Sequence, residues 1–179
     1  ARRIVGMVRR NFKRLNRTDF RLIYKTYIRP HLEYCIQAWS PHLVKDMEAL
    51  ERVQRAATAL VPDLRRFDYN TRLQKLGLTT LSVRRERGDM IETYKILTDK
   101  ERIRKDQLFR MATNEHGLRG HSLKLRKDRS RLDVRKYCFS QRVVNSWNKL
   151  PKEVVEAKSV NGFKNAWDRS KQDMDARRH

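Results

Sequence analysis

The chain has 179 residues, with 43 Lys and Arg against 21 Asp and Glu, a net charge of +22 and 39% apolar residues, which supports one domain or two small ones around a modest core. Self-repulsion at that charge calls for a polyanionic partner, nucleic acid first and a membrane surface second. No apolar run approaches the roughly 20 residues that cross a bilayer, no signal-peptide pattern opens the chain, and two distant cysteines, Cys35 and Cys138, exclude a disulfide framework and suit a reducing intracellular compartment.

Ile4, Met7, Val8 and Phe12 recur at helical spacing with arginines between them, which predicts a short amphipathic helix with a basic wet face. Because Ala1 leads straight into it, the chain reads as cut from a longer protein. Thr18 is placed to cap a second helix with Phe20, Ile23, Tyr24, Tyr27 and Ile28 on its apolar face. Pro30 predicts a boundary or kink near Arg29. Leu32, Cys35, Ile36 and Trp39 then restart the period until Ser40 and Pro41. Leu43, Met47, Leu50, Val53, Ala57 and Leu60 form the clearest stripe, supported by Glu48–Arg52 and Glu51–Arg55 pairs, and Pro62 stops it. A short helix is expected from Asn70 to Leu76, closed by Gly77. Ser82 can cap the next, with Val83, Met90, Ile91, Tyr94 and Leu97 buried.

Residues 99–118 are polar and irregular and read as a linker. After Gly120 the period changes to two: Leu123 and Leu125, then Leu132 and Val134, flank Lys127–Arg131, which predicts a β-hairpin. Phe139, Val143, Trp147 and Leu150 return to helical spacing. Pro151 opens a short segment, and Ser159 caps a last helix carrying Val160, Phe163 and Trp167. The expected fold is mainly α: a helical bundle over 1–98, the linker 99–118, a small basic α+β extension with a β-hairpin over 119–170, and a disordered tail 171–179. The bundle core is expected to hold Ile4, Phe12, Phe20, Ile23, Tyr27, Leu32, Ile36, Trp39, Leu43, Met47, Leu50 and Val53. Both thiols, Trp147 and Trp167 are also expected inside.

Charge is unevenly spread. Residues 1–29 hold ten basic residues and one acid, and residues 119–136 hold eight and two. A merely solubilising surface would mix the signs, so these segments are the candidate phosphate contacts. The candidate residues are Arg9, Arg10, Lys13, Arg14 and Arg17, then Arg84, Arg85 and Arg87, then Lys124, Arg126, Lys127, Arg129 and Arg131. Arg84, Arg85 and Arg87 crowd the start of a helix, where positive charge opposes the dipole. An outside anion, or a carboxylate such as Glu86, would offset that cost. Chemistry is sparse: there is no Asp-Asp pair, phosphate-cradling Gly-rich loop or Gly-x-Ser-x-Gly elbow. His31 and Cys35 make half a zinc site at most. No catalytic residue, metal or cofactor is assigned to this chain.

Four blocks then occur in order: YIRPHLEYCIQAWSP from Tyr27, RVQRAATALVP from Arg52, LSVRRERGDMIETYKIL from Leu81 and GHSLKLRKDRSRLDVRKYCFSQRVVNSWNKLP from Gly120, with VNGFKNAWD from Val160 closing the series. Over nearly the whole chain they resemble the region beyond the palm in reverse transcriptases of non-LTR (LINE-type) retrotransposons. The resemblance implies a thumb and C-terminal extension that grips RNA or an RNA/DNA template–primer. Synthesis and its paired aspartates would belong to upstream fingers and palm, which would also be its protein partners, and no membrane is involved. It implies residence in the nucleus and in a cytoplasmic ribonucleoprotein. The Cys-rich knuckle of some relatives is absent from these residues. A domesticated stand-alone RNA-binding or structural interaction protein is the alternative; a polymerase acting alone and a membrane-surface protein are more distant ones.

Overall fold

The computed structural model describes residues 1–112 and 120–176. It is mainly helical with one small antiparallel strand pair. The chain forms two compact units that meet in sequence between Arg85 and Glu86. That division lies inside a helix, not in the polar segment 99–118. The part of that segment preceding residue 113 is itself folded, and 113–118 lie outside the described residues.

In the first unit, α1 (Arg2–Asn11) turns Val5 and Val8 inward and ends on Arg9 and Arg10, where cations suit the carbonyl end of the dipole. Asn16, not Thr18, caps α2 (Arg17–Ile23): its side chain accepts the Asp19 N–H at 2.8 Å. The interruption expected at Pro30 takes the form of one π turn, Tyr24–Ile28, leading into α3 (Arg29–Glu33). Proline has no N–H, and its ring would strike the carbonyl four residues back. The wider turn accommodates this, with the Arg29 N–H bonding the Tyr24 carbonyl. Phe20, Tyr24, Ile28 and Leu32 therefore form the inward row, and Tyr27 faces solvent.

Beyond α3 the chain leaves the helix. Tyr34 is extended and Cys35 is left-handed at φ 49°. That turn breaks the register suggested by the spacing of Leu32, Cys35, Ile36 and Trp39. Leu32 and Ile36 are buried as expected, but Cys35 and Trp39 are exposed, as are Phe12 and Leu43. α4 (Val44–Thr58) supplies Val53 and Ala57 to the core, and a 3₁₀ turn (Pro62–Leu64) adds Leu64. α5 (Tyr69–Leu76) starts on Asp68, whose carboxylate accepts the Asn70 and Thr71 amides at 3.0 and 3.2 Å. It ends at Gly77, left-handed at φ 60° and ψ 41°, as its sequence predicts.

A polar network runs through this unit from α4. The Tyr24 hydroxyl donates to Gln54, whose Nε2 donates to Tyr69 Oη and the Thr79 carbonyl, each at 2.9 Å. Tyr69 donates to Glu51, which also accepts the Leu81 N–H at 3.1 Å. Burial raises both phenols well above their ordinary value, so they remain donors.

The second unit begins within α6 (Leu81–Leu97). It continues through α7 (Lys105–Leu108), β1 (Arg110–Met111), β2 (Leu125–Arg126), α8 (Asp133–Lys136), α9 (Phe139–Asn148), α10 (Lys152–Val155) and α11 (Val160–Ala176). The strand pair is there, but not between the expected partners: Met111 pairs with Leu125 and Arg110 with Arg126. Leu132 and Val134 lie at α8 and are exposed. The other edge of β2 is already closed, because the Asn148 amide accepts the Leu125 N–H at 2.9 Å and donates to its carbonyl at 2.8 Å. Residues 171–176, expected in a disordered tail, continue α11, and Lys171 bonds Glu86 at 2.8 Å; 177–179 lie outside the described residues.

Aromatic rings fill the second core. Tyr94 stacks on Phe163 at 4.4 Å, Phe163 lies 6.1 Å from Trp147, and His121 meets Trp147 edge-on at 5.7 Å. Trp147 and Trp167 are buried as expected. Asp89 accepts both arms of Arg142 at 2.8 and 2.9 Å, with their side chains 9% and 15% exposed. Asp89→Ala would remove the carboxylate that both arms of that guanidinium grip. It is predicted to cost about 3 kcal/mol of unfolding free energy, read by urea denaturation.

His121 is also buried, and its Nε2–H donates to the Trp147 carbonyl at 3.1 Å. Among the described residues Nδ1 has no partner. Desolvation lowers the pKa of this imidazole from its ordinary 6.5. The unfolded chain therefore binds the proton more readily. The stabilisation is present above about pH 6.5 and is lost as pH falls through the depressed folded value. His121→Gln is predicted to lose stability less steeply than the native chain between neutral and mildly acidic pH, measured by thermal melts across that range.

Candidate nucleic-acid interface

The first basic segment is open to solvent. Arg9 and Arg10 are exposed on the last turn of α1, Lys13 and Arg14 lie in the following loop, and Arg17 opens α2. The fold links two of them through a residue that the sequence reading missed. Arg9 and Arg65 share an apolar groove of about 350 Å³ lined by Val5, Ala56 and Leu60. Arg65 also lines a wider cleft of about 630 Å³ with Arg17, Arg66, Phe67 and Lys75. Arg65 thus joins the two into one basic band, with Asp63 the one acid among the described residues lining them.

Local packing holds these cations. Arg65 Nε donates to the Ala59 carbonyl at 3.1 Å. The Arg66 guanidinium lies 5.0 Å from the Phe67 ring centroid and Lys75 Nζ lies 4.7 Å from it, so one ring positions two charges. Among the described residues none of Arg9, Arg17, Arg65, Arg66 and Lys75 is in an ion pair. The detectable signal was the Arg65-Arg66-Phe67 run directly after the Pro62 turn.

The second expected group is committed inside the fold. Arg84 grips Glu33 with both arms at 2.8 and 2.9 Å, and Arg87 grips Asp168 at 2.7 and 2.8 Å. Arg85 is buried. The carboxylates that offset this cationic helix start are therefore distant in sequence, and Glu86 serves Lys171 instead.

The third group divides. Lys124 is half-buried and donates to the Asn148 carbonyl. Arg126, Lys127, Arg129 and Arg131 are exposed, as are Arg135 and Lys136 of the same basic segment. Arg110 stands opposite Arg126 across the strand pair, a like-charge arrangement that costs stability, and Asp128 lies 3.6 Å from Arg110 and offsets it.

Neither thiol behaves as the buried core residue expected. Cys35 is exposed, and Cys138 is half-buried with its Sγ donating to the Arg135 carbonyl at 2.9 Å. Among the described residues no three His, Cys, Asp or Glu side chains gather as a metal site, and no helix is long and apolar enough to cross a membrane.

Comparison with protein-family models, curated proteins and solved structures finds no match to this chain.

Arg84 is a structural cation by its contacts. Arg84→Gln is predicted to lower the unfolding free energy by about 1–2 kcal/mol, discounted for its partial exposure. The salt dependence of any polyanion binding, read by titration at several ionic strengths, should be unchanged.

Proposed function

We propose that this chain is the non-catalytic thumb and C-terminal part of an RNA-directed DNA polymerase of the non-LTR retrotransposon type, binding RNA or an RNA/DNA template–primer through its basic faces. The four sequence blocks supply the family resemblance. The observation that carries the binding role is the band Arg9–Arg65–Arg17–Arg66–Lys75, in which five cations line two adjoining depressions with one carboxylate. Arginine forks suit phosphate oxygens, and an A-form duplex is gripped mainly by shape, phosphate and 2′-hydroxyl contacts. A sequence-blind clamp needs no more than that. In this reading the chain needs no cofactor, and its upstream palm and fingers perform synthesis in the nucleus after ribonucleoprotein assembly in the cytoplasm.

Fluorescence anisotropy with an RNA/DNA hybrid, single-stranded RNA and duplex DNA over a salt series tests this. The hybrid is expected to bind tightly, with log K falling by about 0.7–0.9 per log unit of salt for each phosphate contacted. Neutralising Arg17, Arg65, Arg66 and Lys75 together to Gln should reduce that slope by roughly 3. Neutralising Arg9, Arg10, Lys13 and Arg14 should act in the same direction. An unchanged slope in both variants would overturn the assignment, and primer extension by this chain alone should yield no product.

A further inference from the structure

We infer that Tyr27, Tyr34 and Trp39 form a stacking surface for the unpaired bases of a single nucleic-acid strand, a proposal that rests on the chain being nucleic-acid-binding. The spacing of Tyr27 and Trp39 marks them as core, yet they are 57% and 58% exposed, and Tyr34 between them is 77% exposed. Specific backbone features turn them outward. The π turn before Pro30 puts Tyr27 outside the Phe20–Tyr24–Ile28–Leu32 row, and the left-handed Cys35 breaks the register before Trp39. In the second unit Tyr94, Trp147, Phe163 and Trp167 are all buried. Large aromatics left in water over one short stretch mark a surface that binds something.

Charge selects the occupant. Between residues 20 and 45 the sole carboxylate is Glu33, and it is held by Arg84, with Arg29 3.9 Å away. The exposed ionisable side chains of the same stretch include Lys25, His31 and Lys45. Rings interleaved with cations match a polyanion that offers π faces, which a single strand does and a closed duplex does not. A second copy of a chain at +22 is repelled from such a surface. The basic band around Arg65 would hold phosphates irrespective of strandedness, whereas this surface would respond only to unstacked bases.

The chain carries its own probe. Of its three tryptophans, Trp147 and Trp167 are 0% and 2% exposed, so nucleic-acid-dependent quenching reports Trp39. The full chain is titrated with labelled oligo(rA) of about 12 nucleotides and, separately, with a blunt RNA duplex of equal phosphate count. Anisotropy and tryptophan emission are read in the same samples. The single strand is expected to quench Trp39 and shield it from acrylamide, while the duplex binds without quenching. Trp39→Ala should bind oligo(rA) roughly tenfold more weakly with duplex affinity unchanged, and Trp39→Phe should recover most of the loss. Binding of oligo(rA) by anisotropy with unaltered Trp39 emission, and with full affinity in Trp39→Ala, overturns this inference and leaves the basic band standing. Failure of both probes to bind overturns the binding reading itself. Concentration-dependent shielding of Trp39 without nucleic acid identifies self-association and also overturns it.

Discussion

The ion pairs of α6 organise the charge of this protein. With twice as many cations as carboxylates, most basic side chains cannot find an internal partner, so the placing of each acid has consequences elsewhere. Along this helix the choices are explicit. Arg84 takes Glu33 within the first unit; within the second, Arg87 takes Asp168, Glu86 takes Lys171 and Asp89 takes Arg142. Arginine's planar fork makes three of these contacts two-armed, which fixes direction as well as distance. Carboxylates committed in this way are not available to the other cations. What remains outside is a field of arginines and lysines around Arg65 and from Arg126 to Lys136.

That division separates cations that hold the fold from cations available to a ligand. Local density alone does not distinguish them. Arg84, Arg85 and Arg87 are as closely spaced as Arg9, Arg10, Lys13 and Arg14, yet the first group is paired or buried and the second is exposed. A proposed clamp built on Arg9, Arg17, Arg65, Arg66 and Lys75 draws residues from α1, α2, the turn after α4 and α5. Its integrity therefore depends on the Tyr24–Gln54–Tyr69–Glu51 network that ties α5, and the π turn that continues α2, to α4. In such a network each buried polar group is costly if left alone, so its members specify one arrangement.

Much of the helical framework was legible in the sequence, because amphipathic spacing and end signals act over a few residues. The α4 stripe, Gly77 closing α5, and Trp147 and Trp167 in the core all follow from local rules. Long-range choices were not legible. Glu33 lies 51 residues from Arg84 and Asp168 lies 81 from Arg87, and no periodicity points from one to the other. The alternation of Leu132 and Val134 resembled a strand, but an amide from α9 had taken the available edge. Tyr27 and Trp39 fit a helical stripe until a widened turn and one left-handed residue altered the phase. Arg65 and Arg66 were passed over because their significance comes from α1 and α5 approaching them in space.

The amide of Asn148 is, in effect, a one-residue substitute for a third strand. A lone two-stranded ribbon offers an open flank on which the extended segment of another molecule can dock, which is a route to aggregation. By occupying both backbone groups of Leu125, this side chain stops sheet growth along β2 without requiring further strand length. The same amide belongs to α9, beside the buried Trp147, so the blocked flank is secured by the aromatic core instead of by a mobile loop.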